Sequence, residues 1–203
     1  MRSILDLGLS SSDPEIDGFI GSSSKHNGVK ACARAGLELP PLSPETVERL
    51  RPFIPRTGSI SNPVDFTFGK NLIDYFSEVP KALLDEKNAD ILLFYLFTPS
   101  QRLQQLMRLM GVPPHQIKEE AAKLVDGYSG AIIRLLESRS KPFVGYTFQD
   151  LENPLIRILI ERGIPIFSGP QRAARAIEAA YEYTRLRDKI LAAASQEPEV
   201  GQS

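Results

Sequence analysis

Hydrophobic runs alternate along the chain with segments whose apolar residues recur every three or four positions. The apolar runs at residues 90–97, 142–146 and 164–167 are typical of parallel strands covered on both faces. Helical spacing predicts helices at residues 22–35, 72–86, 101–110, 116–138, 153–162 and 171–194. Because strands and helices alternate with short turns, the pattern predicts an α/β fold with an open parallel sheet and helices on both of its faces.

Residues that favour caps and turns mark where several of these elements end. Gly36 accepts the left-handed conformation that closes a helix, and residues 37–39 are expected to follow as an edge strand. Ser43 and Pro44 are typical of the cap and the first position of a further helix, which two later prolines end.

The two ends of the chain are polar and differ from the segment between them. Residues 1–14 are interpreted as a disordered lead-in, and residues 195–203 as a disordered tail. Residues 15–21 form a weak strand candidate, because an aspartate and a glycine there are unfavourable in a central strand. Residues 15–194 contain no internal repeat and no change of composition, so they are predicted to form one domain.

The overall composition argues against several classes of protein. The net charge of -1 provides no field that would attract nucleic acid or an acidic membrane surface. No apolar run approaches the roughly 20 residues that a membrane span needs. The single cysteine, Cys32, permits no internal disulfide and suits a reducing cytosol. We therefore expect a cytoplasmic globular protein that binds neither nucleic acid nor membrane.

The loop that opens the first predicted helix is a candidate phosphate site. Ser22, Ser23, Ser24 and Lys25 stand where a helix N-terminus offers free amides and a partial positive charge, and they add hydroxyls and a formal charge. The alternative is a solvent-exposed cap, because every helix start has such amides. On the loop alone, the cap is the favoured interpretation.

A corner at residues 62–65 (NPVD) is the second candidate. The proline biases Asn62 towards an extended backbone, so that Asn62 and Asp65 can hydrogen-bond to nearby loop amides and support the phosphate loop. A purely structural corner is at least as good an interpretation. The two histidines, His26 and His115, lack a matching cysteine or carboxylate cluster, so no metal site is predicted.

Several of these pieces recur together in one known family. They are Ala35–Pro40 (AGLELP), Leu42–Thr46 (LSPET), Leu50–Arg51, Pro55, Asn62–Asp65 (NPVD) and Gly163–Phe167 (GIPIF) followed by Pro170. In this combination the chain resembles the C-terminal flavodoxin-like domain of NDP-forming acyl-CoA synthetases. That family includes the ADP-forming acetyl-CoA synthetases and succinyl-CoA synthetase. The resemblance covers most of residues 15–190 and is densest in residues 28–67.

The resemblance implies a flavodoxin-like three-layer sandwich and a role in acyl-CoA chemistry. Members convert acyl-CoA, NDP and phosphate to acid, CoA and NTP through a phosphohistidine, at which two helix N-termini point. By position, Ser22 to Lys25 match the loop at one of those helix starts. A Ser-His-Thr-Gly-like segment for the phosphorylated histidine is missing, so no residue of this chain is assigned as catalytic.

The same resemblance implies partners. CoA-binding Rossmann and ATP-grasp domains or subunits are expected to carry CoA, the nucleotide and magnesium, while this chain alone binds no cofactor and is not active alone. An alternative is a non-catalytic assembly or regulatory domain descended from the family, which serine and lysine in place of loop glycines would favour. A weaker alternative is a flavin-binding or receiver-like module.

Overall fold

Five parallel strands form a single sheet in the order β2-β1-β3-β4-β5. The computed structural model describes residues 3–8, 24–56, 58–66, 71–98, 104, 107–138 and 141–194. The strands are β1 (Ile4–Gly8), β2 (Val64–Asp65), β3 (Ile91–Tyr95), β4 (Phe143–Thr147) and β5 (Ile166–Ser168). The helices are α1 (Ser24–Arg34), α2 (Pro44–Leu50), α3 (Leu72–Phe76), α4 (Glu78–Leu84), α5 (Ile117–Glu137), α6 (Pro154–Glu161) and α7 (Pro170–Ala194).

Helices cover both faces of the sheet, so the predicted three-layer α/β sandwich is confirmed. Successive strand residues point to opposite faces, and the core accordingly divides into two clusters. On one face, Ile4, Leu93 and Tyr146 pack with residues of α1 and α7. On the other face, Leu5 and Phe94 pack with residues of α2 to α6. The order 2-1-3-4-5 is that of flavodoxin-like folds.

The interpretation of residues 1–14 as a disordered lead-in is wrong for residues 4–8. These form β1, which pairs with both β2 and β3 inside the sheet. Ile4 is 1% exposed and Leu5 is 0% exposed. The segment ILDLG is short and holds two poor strand formers, so its local signal is weak and its neighbours in the sheet determine its conformation. The strand predicted at residues 15–21 and the tail at 195–203 lie outside the described residues.

Two further predictions are wrong at positions where prolines interrupt the predicted element. The expected edge strand at residues 37–39 is a single bridge between Ser3 and Glu38, because two prolines follow at once and cannot donate to a ladder. The helix predicted over residues 72–86 is divided into α3 and α4 at Ser77. Pro80 lacks the N–H that would bond to the carbonyl of Phe76 and clashes with it, which explains the break.

The predicted caps are confirmed. Gly36 has φ 63°, and the N–H of Leu37 donates to the carbonyl of Cys32 at 2.9 Å, which closes α1. The hydroxyl of Ser43 accepts from the N–H of Thr46 at 3.3 Å and caps α2. Of the helix predicted at residues 101–110, residues 104 and 107–109 are helical, and residues 101–103, 105 and 106 lie outside the described residues.

Candidate functional site

The carboxyl edge of the sheet between β1 and β3 is the place where this fold offers a ligand site. The two strands are adjacent. From β1 the chain continues to β2, the strand at one edge of the sheet, and from β3 it continues to β4, towards the other edge strand. Such a topological switch opens a crevice beyond the strand ends. The helix α1 follows β1 in the chain and begins at Ser24.

Small residues hold α1 close against the sheet and against α7. Ala31, Cys32 and Ala35 are buried in one cluster with Ala173 and Ala174 of α7. At the other end of α1, the carbonyl of Glu38 accepts from the N–H of Ile4 at 2.8 Å. The helix therefore runs from the carboxyl edge to the amino edge, and its free amides face the carboxyl edge.

The predicted phosphate-site residues are only partly within the described structure. Ser24 and Lys25 are the first two residues of α1, which agrees with the predicted position of the loop at a helix start. Ser22 and Ser23 lie outside the described residues. Phosphate binding by this loop stays a prediction.

Asn62 pins the connection between α1 and α2 to the first strand. Its side-chain amide donates to the carbonyl of Ile4 at 2.8 Å and to the carbonyl of Pro40 at 2.9 Å. The Asn62–Pro63 peptide bond is cis. Because Val64 is in register with Leu7, Asn62 lies towards the amino half of β1. These bonds go to carbonyl groups and are those of a structural corner.

Asp65 lies nearer to the predicted loop. It is buried, ends β2 and is in register with Gly8, where the chain leaves β1. Its backbone pairs with Ser59 in both directions, at 2.8 and 3.2 Å. A Cβ atom on Gly58 would lie 2.4 Å from the carbonyl oxygen of Asp65, so only glycine fits beside this turn. Support of the phosphate loop by Asp65 and Asn62 stays a prediction.

A rim of polar residues behind β3 and β4 is a feature that sequence reasoning missed. The side chain of Gln149 accepts from the N–H of Thr98 at 2.8 Å and donates to its carbonyl at 2.9 Å. The Thr98 hydroxyl donates to Asn153, the cap of α6, at 3.0 Å. The sequence places Thr98 and Gln149 within three residues of the ends of two buried strands, but it does not show that their side chain and backbone bond to each other. The rim joins the loop that follows β3 to the loop that follows β4.

Aromatic side chains form the floor of the α1 and α7 face near the same edge. The ring of Tyr95 lies 5.4 Å from that of Tyr146 and 5.7 Å from that of Phe148, between ring centroids. Burial raises the pKa of the Tyr95 phenol above its ordinary value, so this floor stays uncharged.

Beside this floor, α7 starts at the carboxyl edge as α1 does, after Gly169 with φ 90°. Near its start, Arg172 donates to the hydroxyl of Ser168 at 2.7 Å. Two helix N-termini on one face therefore point to the same side of the sheet.

Metal chemistry has no support from the side chains that the structure describes. Among them, no group of three or more histidine, cysteine, aspartate and glutamate residues is arranged to hold a metal ion. His115 is an exposed residue of the turn before α5. No helix in the described part of the chain is both long and apolar enough to cross a membrane.

Comparison with known proteins gives two relatives with the same activity in their names. The chain is 30% identical to acetate–CoA ligase (ADP-forming) I of Archaeoglobus fulgidus over 159 residues, 78% of this chain and 19% of that protein. It is 26% identical to the alpha subunit of acetate–CoA ligase (ADP-forming) II of Pyrococcus furiosus over 155 residues, 75% of this chain and 30% of that subunit. The chain thus spans less than a third of either relative. No protein-family model matches the sequence.

Solved structures agree on the fold. The dinucleotide-forming acetyl-coenzyme A synthetase 1 of Ca. Korarchaeum cryptofilum, in its apo form, superposes with a TM-score of 0.63 at 19% identity. The match covers 95% of this chain and 36% of that one. The fold and its strand order thus define a flavodoxin-like α/β module. More particularly, this module is a homologue of part of the ADP-forming acetate–CoA ligases, as the resemblance predicted.

Proposed function

We propose that the chain is a module of an ADP-forming acyl-CoA ligase and acts together with CoA-binding Rossmann and ATP-grasp domains or subunits. In this function the N-terminus of α1, with Ser22 to Lys25, is presented to a phosphorylated histidine of a partner. The overall reaction converts acyl-CoA, ADP and phosphate to acid, CoA and ATP. CoA, the nucleotide and magnesium are held by the partners.

One observation carries this proposal. In a chain homologous to ADP-forming ligases, α1 begins at Ser24 on the carboxyl side of the sheet, where the reversal of strand order between β1 and β3 favours a ligand site. Free amides and the partial positive charge at that helix start favour a phosphoryl group. The close packing of Ala31 and Cys32 keeps the helix fixed relative to the sheet. A rigid helix start can be aimed at a group that a partner carries, without rearrangement on binding.

The homology also supports the dependence on partners. This chain matches 19% of one relative and 30% of the other, so most of each relative corresponds to no part of it. Those remaining parts are where we place the phosphorylated histidine and the sites for CoA and the nucleotide. The chain then contributes one of the helix starts that stabilise the phosphoryl group in transit.

The experiment that tests this function is recovery of the tagged, full 203-residue chain from its native extract with identification of what accompanies it. We expect proteins with CoA-binding and ATP-grasp sequences, and acyl-CoA-dependent ATP formation in the recovered complex. Recovery of a folded chain with no such partner would contradict the proposal. That result would favour the alternative, a non-catalytic assembly or regulatory domain of the same descent.

A further inference from the structure

The C-terminal half of α7 has no neighbour in the described structure that buries it. The buried residues of this helix end at Ile177, and every residue from 183 to 194 is exposed. Large apolar side chains are nevertheless concentrated there, with Tyr183 68% and Ile190 68% exposed. Contiguous apolar surface of this kind on a folded domain marks an interaction site.

Apolar residues, exposed except for the half-buried Ala176, form a regular stripe. The outward stripe consists of Ala176, Ala179, Tyr183, Leu186, Ile190 and Ala193. Its spacing of three, four, three, four and three residues is that of the seam of a coiled coil. Leu186 follows Ile177 by nine residues, which places it about 180° around the helix from the buried face. The stripe therefore points away from the domain that α7 packs against.

The stripe is complementary to itself when two copies of the helix run in opposite directions. Such a pair, centred between Thr184 and Arg185, places Ala179 against Ile190 and Tyr183 against Leu186. The branched Ile190 then meets the small Ala179, and Tyr183 meets Leu186, so that apolar side chains of different size face each other along the seam.

The charges beside the stripe fit the same arrangement. Glu182 and Lys189 each precede one of its large residues, so an antiparallel pair places Glu182 of one copy near Lys189 of the other, twice. Within one copy, Glu182 is paired with Arg185 at 2.7 Å, and it can accept from both cations at once.

We propose that the outward stripe of α7 is a docking surface for a second copy of this chain, with the two helices antiparallel. The seam from residue 176 to residue 193 is about 26 Å long at 1.5 Å per residue. That is short for a specific interface, so association is expected to depend on protein concentration. This proposal does not rest on the proposed enzymatic function.

The test is sedimentation velocity of the full chain over a wide range of concentration. We expect the wild type to shift from a 22.5 kDa monomer towards a species of twice that mass. Leu186→Glu should stay monomeric, with a dissociation constant at least about 100-fold higher, because two carboxylates would face the seam. Leu191→Glu is the matched control, since Leu191 is 58% exposed against 53% for Leu186 and lies beside the stripe. It should still dimerise.

Charge reversal tests the orientation. Glu182→Lys and Lys189→Glu should each weaken the dimer, and the double reversal should restore it. A parallel pair would instead place Glu182 near Arg187, and Lys189→Glu would then have no effect. Three outcomes would overturn the proposal: a monomeric wild type at every concentration, equal effects of Glu at 186 and 191, or no effect of Lys189→Glu. If the wild type is monomeric and the Leu186→Glu variant fails to bind another protein that the wild type binds, the outward stripe is the docking surface for that protein and not for a second copy.

Discussion

Replacing Lys25 by glutamate is expected to lower the rate of acyl-CoA-dependent ATP formation about 100-fold in the complex of this chain with its partners. A charge-assisted hydrogen bond contributes roughly 1.5–3 kcal/mol, and each 1.36 kcal/mol corresponds to a factor of ten in rate. Charge reversal also places a carboxylate at a helix start that is meant to receive a phosphoryl group. The measurement is ATP formed from acetyl-CoA, ADP and phosphate, with other acyl-CoA thioesters in parallel.

The matched control for this substitution is Lys30→Glu. Lys30 is an exposed lysine on the same helix, more than one turn further from its start, so the same charge reversal there should leave the rate nearly unchanged. Equal rates of ATP formation for Lys25→Glu and the wild type would contradict the proposal that the loop at residues 22–25 binds a phosphoryl group. Equal losses for both lysine variants would point to a general electrostatic effect on partner binding instead.

Replacing Glu86 by glutamine is expected to lower the free energy of unfolding by about 2–3 kcal/mol at neutral pH. This carboxylate is 1% exposed and accepts from the N–H of Ser43 at 2.8 Å, from the Ser43 hydroxyl at 2.9 Å and from the N–H of Asn88 at 3.0 Å. A glutamine side chain would turn an amide donor towards one of these donors. Lys141, whose pKa burial lowers, would also lose the charge of Glu86 nearby.

The pH dependence of that effect follows from the pKa of Glu86. Burial alone would raise this pKa, but the hydrogen bonds from Asn88, Ser43 and Thr46 lower it from 4.5 to about 2. Because the folded-state pKa is the lower one, the stabilisation is fully present above about 4.5 and is lost as the pH falls towards 2. The difference between wild type and Glu86→Gln should therefore shrink over this interval.

Urea unfolding at a series of pH values measures this difference directly. Asp85→Asn is the control, because Asp85 is 54% exposed and its ion pair with Arg49 is worth at most about 1 kcal/mol. A glutamine variant as stable as the wild type at pH 7 would show that the carboxylate does not anchor the cap of α2. A difference that is constant with pH would contradict the assigned pKa.

The layers of the fold were predictable because their signals are local and strong. The runs that became β3 and β4 are apolar almost throughout, and the long helices α5 and α7 have clear helical spacing. Caps were equally clear, since glycine at residue 36 and the Ser43–Pro44 pair have few other uses. The motifs at known spacing then indicated the family and, with it, a flavodoxin-like three-layer sandwich.

The missed strands depend on distant partners. The segment at residues 4–8 is a strand because β2 and β3 flank it, and β2 itself is only two residues long. Neither has a pattern long enough to be seen alone. The break at Ser77 was missed because the apolar pattern continues through it, although Pro80 gave the signal.

The start of the helix beside the candidate site was predictable, whereas phosphate binding there stays a prediction. The helix α1 begins at Ser24, within the predicted helix of residues 22–35, and the side-chain bonds of Asn62 to the carbonyl groups of Ile4 and Pro40 are those of a structural corner. The hydrogen bonds that join Thr98 to Gln149 and Asn153 could not be predicted from the sequence. They connect two loops that are far apart in the chain, with Gln149 lying 51 positions after Thr98. The apolar stripe of α7 was concealed by the arginines and glutamates interleaved with it.

The measurement that tests the central claim most directly is ATP formation by the partner proteins with and without this chain. The partners alone, supplied with acetyl-CoA, ADP and phosphate, should form little ATP, and addition of the full chain should restore turnover in proportion to the amount bound. Turnover by the partners that is independent of this chain would contradict its assignment as a working module of the ligase.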